Sequence, residues 1–161
     1  VKDTYWSFDY GPAHFVILDQ YSKNFKTKEI AWLEKDLKKS SNSWKFVCLH
    51  EPGWSAGGEG AHPNDRKVQQ FIQPLLEKYS VTAVFAGHNH YYARALVNGV
   101  YHITTGGGGA PLLTPDPYAQ KVITTSKTHH FCKVEIKDRT LVFNAEKTDG
   151  TVIDTFTLRY Q

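Results

Sequence analysis

Methionine is absent from the 161 residues, and the chain opens at Val1 and runs directly into a strand-like Tyr5-Trp6-Ser7-Phe8. An initiator methionine, signal peptide or transit peptide would have to lie upstream, so the sequence reads as a piece of a longer protein. Cysteine is nearly as scarce: Cys48 and Cys132 are the two present, and neither belongs to a Cys-x-x-Cys pair. That excludes a disulfide scaffold and a thiolate-rich metal site. Both lie in apolar strand-like runs, so buried free thiols and a single disulfide are both open readings. No apolar run approaches the roughly 20 residues that span a bilayer. An excess of one charge is also missing: 19 Lys and Arg against 16 Asp and Glu leave +3, short of the basic stripe of a specific nucleic-acid binder. What is present suffices for a core. With 40% hydrophobic and 22% charged residues, the chain reads as one folded domain, 1–161, rather than as disordered.

The first half alternates strand and helix patterns. Residues 14–19 form an apolar run that predicts a buried strand. Thr27 is placed to cap a helix with Ile30, Leu33 and Leu37 on one face. Residues 44–49 predict the next strand, stopped by His50-Glu51-Pro52-Gly53. After a Gly- and Ser-rich loop, Pro63-Asn64-Asp65 opens a second helix that Pro74 should kink or restart. Residues 81–86 predict a strand ending at Gly87. From there the pattern is all-β, with Asn98-Gly99, Lys137-Asp138-Arg139 and Asp149-Gly150 as turns. The fold class that follows is mixed α/β, a sheet layered with helices and closed by an antiparallel meander.

The chemistry is concentrated in histidines. His50 directly follows one predicted strand, and His88 and His90 directly follow another in Ala86-Gly87-His88-Asn89-His90. Sites in layered α/β sheets favour the carboxyl ends of strands, and imidazole suits zinc and iron alike. A glycine before His88 lets the backbone turn sharply, so that near-adjacent rings reach different metal ions. Other metal patterns fail: Trp54 stands where a zinc-protease motif opened by His50-Glu51 needs its second His. His102, His129 and His130 read as structural or exposed. Residues 106–109, four glycines, are not a Walker loop, because no Gly-Lys-Ser/Thr follows, and read as a flexible loop beside the site.

These segments resemble a known family. Lys45-Phe46-Val47-Cys48-Leu49-His50-Glu51-Pro52 and Val84-Phe85-Ala86-Gly87-His88-Asn89-His90-Tyr91-Tyr92-Ala93-Arg94 are similar to the last two metal motifs of the calcineurin-like metallophosphoesterases, in the purple acid phosphatase-like branch. Trp32-Leu33-Glu34-Lys35-Asp36-Leu37, Pro74-Leu75-Leu76-Glu77-Lys78-Tyr79 and the Gly-rich Tyr101-His102-Ile103-Thr104-Thr105-Gly106-Gly107-Gly108-Gly109-Ala110-Pro111 resemble the elements around those motifs. Ala93 departs from the branch, which often carries an acidic residue before Arg94.

The resemblance implies the C-terminal half of a layered α-β-β-α sandwich and metal-dependent hydrolysis of phosphoesters at a binuclear centre. His50 and His88 would bind one metal and His90 the other, the pair being iron, zinc or manganese. His62 would stand near the leaving group, and Trp54 would form a wall of the cleft. The family's early motifs, which supply Asp, His and Asn ligands, are missing: no Gly-Asp pair occurs, and nothing around Asp9 or Asp19 matches. The chain therefore carries about half of a site, and the isolated piece is expected to be inactive. A phosphoester small molecule is the expected substrate, with no specific nucleic acid and no membrane span. Self-association or pairing with the missing N-terminal half is the expected behaviour of a half-fold with an uncovered edge. The resemblance favours a secreted or periplasmic setting. The competing reading is a non-catalytic phosphate- or protein-binding fragment without a complete metal site.

Overall fold

The computed structural model describes residues 4–160. Strands β1 (Trp6–Tyr10) and β2 (Ala13–Ile17) form an antiparallel hairpin. A π-helical turn (Phe25–Glu29) runs into α1 (Ile30–Lys39), and β3 (Trp44–Cys48) follows. A second π-helical turn (Val68–Ile72) runs into α2 (Gln73–Lys78) and then β4 (Ala83–Ala86). The remaining strands are β5 (Tyr92–Val97), β6 (Val100–Thr105), β7 (Val122–Ser126), β8 (Phe131–Lys137), β9 (Thr140–Glu146) and β10 (Val152–Arg159).

Local chemistry explains most of these boundaries. Asn98 and Gly99 both take positive φ, 48° and 86°, the two-residue turn that matches strand twist between β5 and β6. Pro74 sits in the first turn of α2, where a missing amide donor costs little, so the helix restarts there. Thr27 does not cap: Asn24 holds the N-cap position, and the Thr27 hydroxyl donates to the Asn24 carbonyl at 3.3 Å. Strand β7, which has no distinct pattern of its own, is held by pairing with β5.

The strands form a seven-stranded sheet in the order β1-β2-β3-β4-β6-β5-β7 and a three-stranded sheet in the order β10-β9-β8. The centre of the large sheet, β2-β3-β4-β6, is parallel; β1 and β5 flank it antiparallel, and β7, antiparallel to β5, runs in the direction of the centre again. Alternation along the parallel strands divides the core. Val16, Val47 and Val84 join Leu33, Leu37, Ile72 and Leu76 in a cluster that holds the helices on one face. Phe46, Ala83 and Ile103 point the other way and meet Leu141, Phe143 and Ala145 of β9. Each such buried Val, Leu, Ile or Phe side chain contributes about 1.5–3 kcal/mol by leaving water. The described residues thus give three layers, helix on sheet on sheet. Cys48 and Cys132 are free thiols, and burial pushes each up to about 11.

One polar cluster ties the two sheets. Arg94 of β5 donates from Nε and Nη2 to the Asp154 carboxylate of β10 at 2.6 and 3.0 Å, and the Tyr92 hydroxyl donates to the same carboxylate at 2.6 Å. The guanidinium also lies 4.9 Å from the Phe156 ring centre. Removing one member of a nearly buried pair strands the other's charge. Asp154→Ala should therefore lower folding stability by about 3–5 kcal/mol, read as a fall in the urea midpoint; an unchanged midpoint would show that the pair contributes nothing.

His102 of β6 supplies a pH handle. It is 2% exposed, its Nε2–H donates to Gln73 Oε1 at 2.9 Å, and burial pushes it down to about 4. The folded state resists its protonation while the unfolded chain accepts a proton near 6.5, so this contribution is whole above about 6.5 and is lost as pH falls toward 4. Denaturant titrations should show stability dropping across that window, and His102→Gln, which keeps a donor for Gln73, should flatten the slope.

Candidate metal centre

The site grows from two strand ends. β3 and β4 run parallel, and two backbone bonds continue the pairing past them: Leu49 N–H to Phe85 O at 3.1 Å and Gly87 N–H to His50 O at 3.0 Å. His50 and His88 therefore leave the sheet side by side. Their rings meet with His50 Nε2 and His88 Nδ1 3.0 Å apart. Burial, and then the neighbouring His62, hold His88 below the ordinary imidazole range. The sharp turn is not taken by Gly87: His88 itself adopts φ 62°, a left-handed backbone that costs a non-glycine residue about 1–2 kcal/mol. Strain of this kind collects at functional sites.

His90 is fixed on both sides by the segment after the glycines. Its Nδ1 lies 3.0 Å from the Pro111 carbonyl, and its own carbonyl accepts from Leu113 N–H at 3.0 Å. A carbonyl only accepts, so Nδ1 carries the proton and Nε2 presents its lone pair, the state in which imidazole binds metals. The glycines make this approach possible. A Cβ at Gly106 would stand 2.1 Å from the Asn89 carbonyl oxygen. Residues 106 and 107 are thus packed in place, Gly107 against His130, rather than lying loose beside the site.

His62 reaches the same place from the loop after β3. Its ring centre is 3.9 Å from that of His88, tilted by 32°. Trp54 sits partly buried with its ring 4.8 Å from His102. Asp9 and Asp19 separate cleanly. Asp9 pairs with His14 at the amino end of β2, the opposite end of the sheet, and bonds its ring at 2.6 Å. Asp19 stands at the carboxyl end, where its carboxylate accepts Tyr21 N–H and its own N–H donates to the buried Glu29 at 2.7 Å. Burial pushes Glu29 up to about 7.

The residues present fit part of a metal site. His50 and His88 bring two ring nitrogens within 3.0 Å of each other, but among the described residues no group of three His, Cys, Asp or Glu side chains is arranged to hold an ion. Protein zinc sites use three or four ligands, so the remainder would have to come from elsewhere.

Gln20, which belongs to no motif, and Asn89, between the two histidines of the His88-Asn89-His90 run, hold this arrangement. Gln20, 2% exposed, accepts on Oε1 from the N–H groups of His50 at 2.8 Å and Glu51 at 2.6 Å. Its Nε2 donates to Glu51 O at 2.9 Å and Asp65 Oδ2 at 2.8 Å. Asn89 is fully buried and bonds the loop that carries His62. The only sequence signal for either was a polar amide beside an apolar strand end.

The family model for calcineurin-like phosphoesterases matches residues 2–92. Purple acid phosphatase 23 of Arabidopsis thaliana is 34% identical over 117 residues, covering 70% of this chain and 25% of that protein. A purple acid phosphatase of Glycine max is 32% identical over 108 residues, covering 63% of this chain and 23% of its own. The structure of purple acid phosphatase PPD1 from yellow lupin, Lupinus luteus, superposes with a TM-score of 0.81 at 28% identity, over 96% of this chain and 32% of that one. The chain belongs to the calcineurin-like phosphoesterase family, and purple acid phosphatases are among its relatives. It spans about a quarter of the length of the curated relatives it matches. GAP50 of Plasmodium shares the fold, with a TM-score of 0.78 at 22% identity. No helix among the described residues is long and apolar enough to cross a membrane.

Gln20→Leu should leave the His50 and Glu51 amides without their acceptor at a cost of about 1–3 kcal/mol for each group left unpaired. Hydrogen exchange at those two amides should accelerate while the centre of β3 keeps its protection. Unchanged exchange would mean that the turn holds itself.

Proposed function

We propose that this chain forms part of a metal-dependent phosphoester hydrolase with a binuclear centre. The observation that carries the reading is the convergence of His50 Nε2 and His88 Nδ1 at adjacent parallel strand ends, 3.0 Å apart, in a chain of this family. His50 and His88 would hold one metal ion, and His90, through Nε2, a second. Iron, zinc and manganese all accept imidazole. When bound, such metals polarise a phosphoryl group and supply a nucleophile at neutral pH. This chain's residues orient and protonate. His62, lying against His88, would hand a proton to the departing alcohol oxygen as a general acid. Trp54, fixed on its His102 side, would close one wall of the substrate cleft. The substrate is a small phosphoester, and the setting that goes with the family resemblance is secreted or periplasmic.

A second reading has its own observation. With no three-ligand group among the described residues, the isolated piece would be a non-catalytic phosphate- or protein-binding module. One variant separates the two. In a full-length protein carrying this chain, His88→Ala should lower bound metal and cut aryl phosphate hydrolysis by about 10²-fold or more, since even the outer partners of metal ligands cost 10–100-fold. Normal metal content with a normal rate would overturn the enzymatic reading.

A further inference from the structure

Asn89 separates the two histidines of the Gly87-His88-Asn89-His90 run, yet it is buried to 0% exposure while both neighbours are partly exposed. Its side-chain bonds all go to one loop. Oδ1 accepts from His62 N–H at 2.7 Å, and Nδ2 donates to His62 O at 3.1 Å and to Ser55 Oγ at 2.9 Å. Ser55 is held in turn, its N–H and Oγ both donating to Asn64 Oδ1 at 2.7 and 2.8 Å. One amide thus grips both backbone groups of His62, as a strand partner would, and sets the direction in which that ring leaves the chain.

The loop needs such a grip. Gly57, Gly58 and Gly60 all take positive φ between Ser55 and His62, and glycines lose more freedom on ordering than any other residue. Other ties of the loop include the Glu59 bridge to Thr114 and Ala61 N–H to Gly58 O before His62, and Asp65 N–H to Pro52 O after the Ser55–Asn64 pair. None holds His62 itself.

We propose that Asn89 is a positioning residue that fixes His62 over His88, so that the proton donor and the metal-binding run keep one relative placement. This rests on the reading of His62 as the leaving-group acid. A group held in place contributes only when its atom is within reach of the departing oxygen.

The test uses a full-length protein carrying this chain, with His62→Ala, Asn89→Ala and the double variant. Two substrates are compared: p-nitrophenyl phosphate, whose leaving group departs without a proton, and glycerol phosphate, whose alkoxide needs one. Both single variants should lose roughly 10²-fold in kcat/KM on glycerol phosphate and far less on the aryl ester. The double variant should be no worse than His62→Ala, and the His62 amide should lose exchange protection in Asn89→Ala. If His62→Ala shows this split and Asn89→Ala does not, or if the losses multiply in the double variant, the positioning role is overturned and the His62 reading stands. If His62→Ala shows no split, the His62 reading fails and takes the proposal with it. Should Asn89→Ala fail to fold, Ser55→Ala removes one of the same bonds and is read by the same split.

Discussion

Two backbone hydrogen bonds beyond the carboxyl ends of β3 and β4 decide where the chemistry stands. Leu49 N–H to Phe85 O and Gly87 N–H to His50 O extend the parallel pairing by one step past the regular strands. That step brings His50 and His88 out of the sheet together, 38 residues apart in sequence and 3.0 Å apart in space. A parallel pair can be made only with a crossover between its strands, here the loop to residue 67 and the helix that ends in α2. The same crossover carries His62 back over His88. Sheet topology, helix packing and site geometry are therefore one constraint: Val47 and Val84 must bury on the helices for the strand ends to coincide.

The backbone around that pair is held by two neutral amides, with the Asp65 carboxylate and the Lys67 ammonium bonded behind Gln20. Gln20 and Asn89 are both buried, and their side-chain hydrogen bonds use each amide's oxygen and nitrogen. A buried polar group that finds its partners rigidifies its surroundings, whereas one left unpaired costs about 1–3 kcal/mol. Charged residues in these places would add fields beside rings that need their lone pairs. The contrast with Arg94 and Asp154 is instructive. That ion pair sits between the two sheets, where it ties β5 to β10.

The strands and helices were legible because burial writes a period into the sequence, 2 for strands and near 3.6 for helices. Val16, Val47 and Val84 on one face, with Phe46 and Ile103 on the other, follow from alternation alone. The histidines were legible because strand ends are visible as the place where an apolar run stops. Thr27 misled because a capping residue is recognised by type, while the helix here begins with a π-helical turn after Asn24. Strand β7 was silent because its pairing with β5 depends on the partner. Gln20 and Asn89 were silent for a deeper reason: their bonds span some 27–45 residues, and no local pattern records a contact of that range.

His88 shows why such contacts matter for function. Its left-handed backbone is unfavourable by about 1–2 kcal/mol and would relax if the neighbouring chain were free to move. It is not free. Gly87 is bonded to His50 before it, Tyr91 N–H bonds Asn89 O after it, and Gly106 N–H bonds Tyr91 O across the turn. The close approach of Gly106 to the Asn89 carbonyl leaves no room for the turn to open in that direction. The strained residue is thus held by bonds on both sides, none of which involves its own ring. The backbone carries the constraint on where the ring stands, while the ring itself meets His50 through Nδ1 and lies against His62.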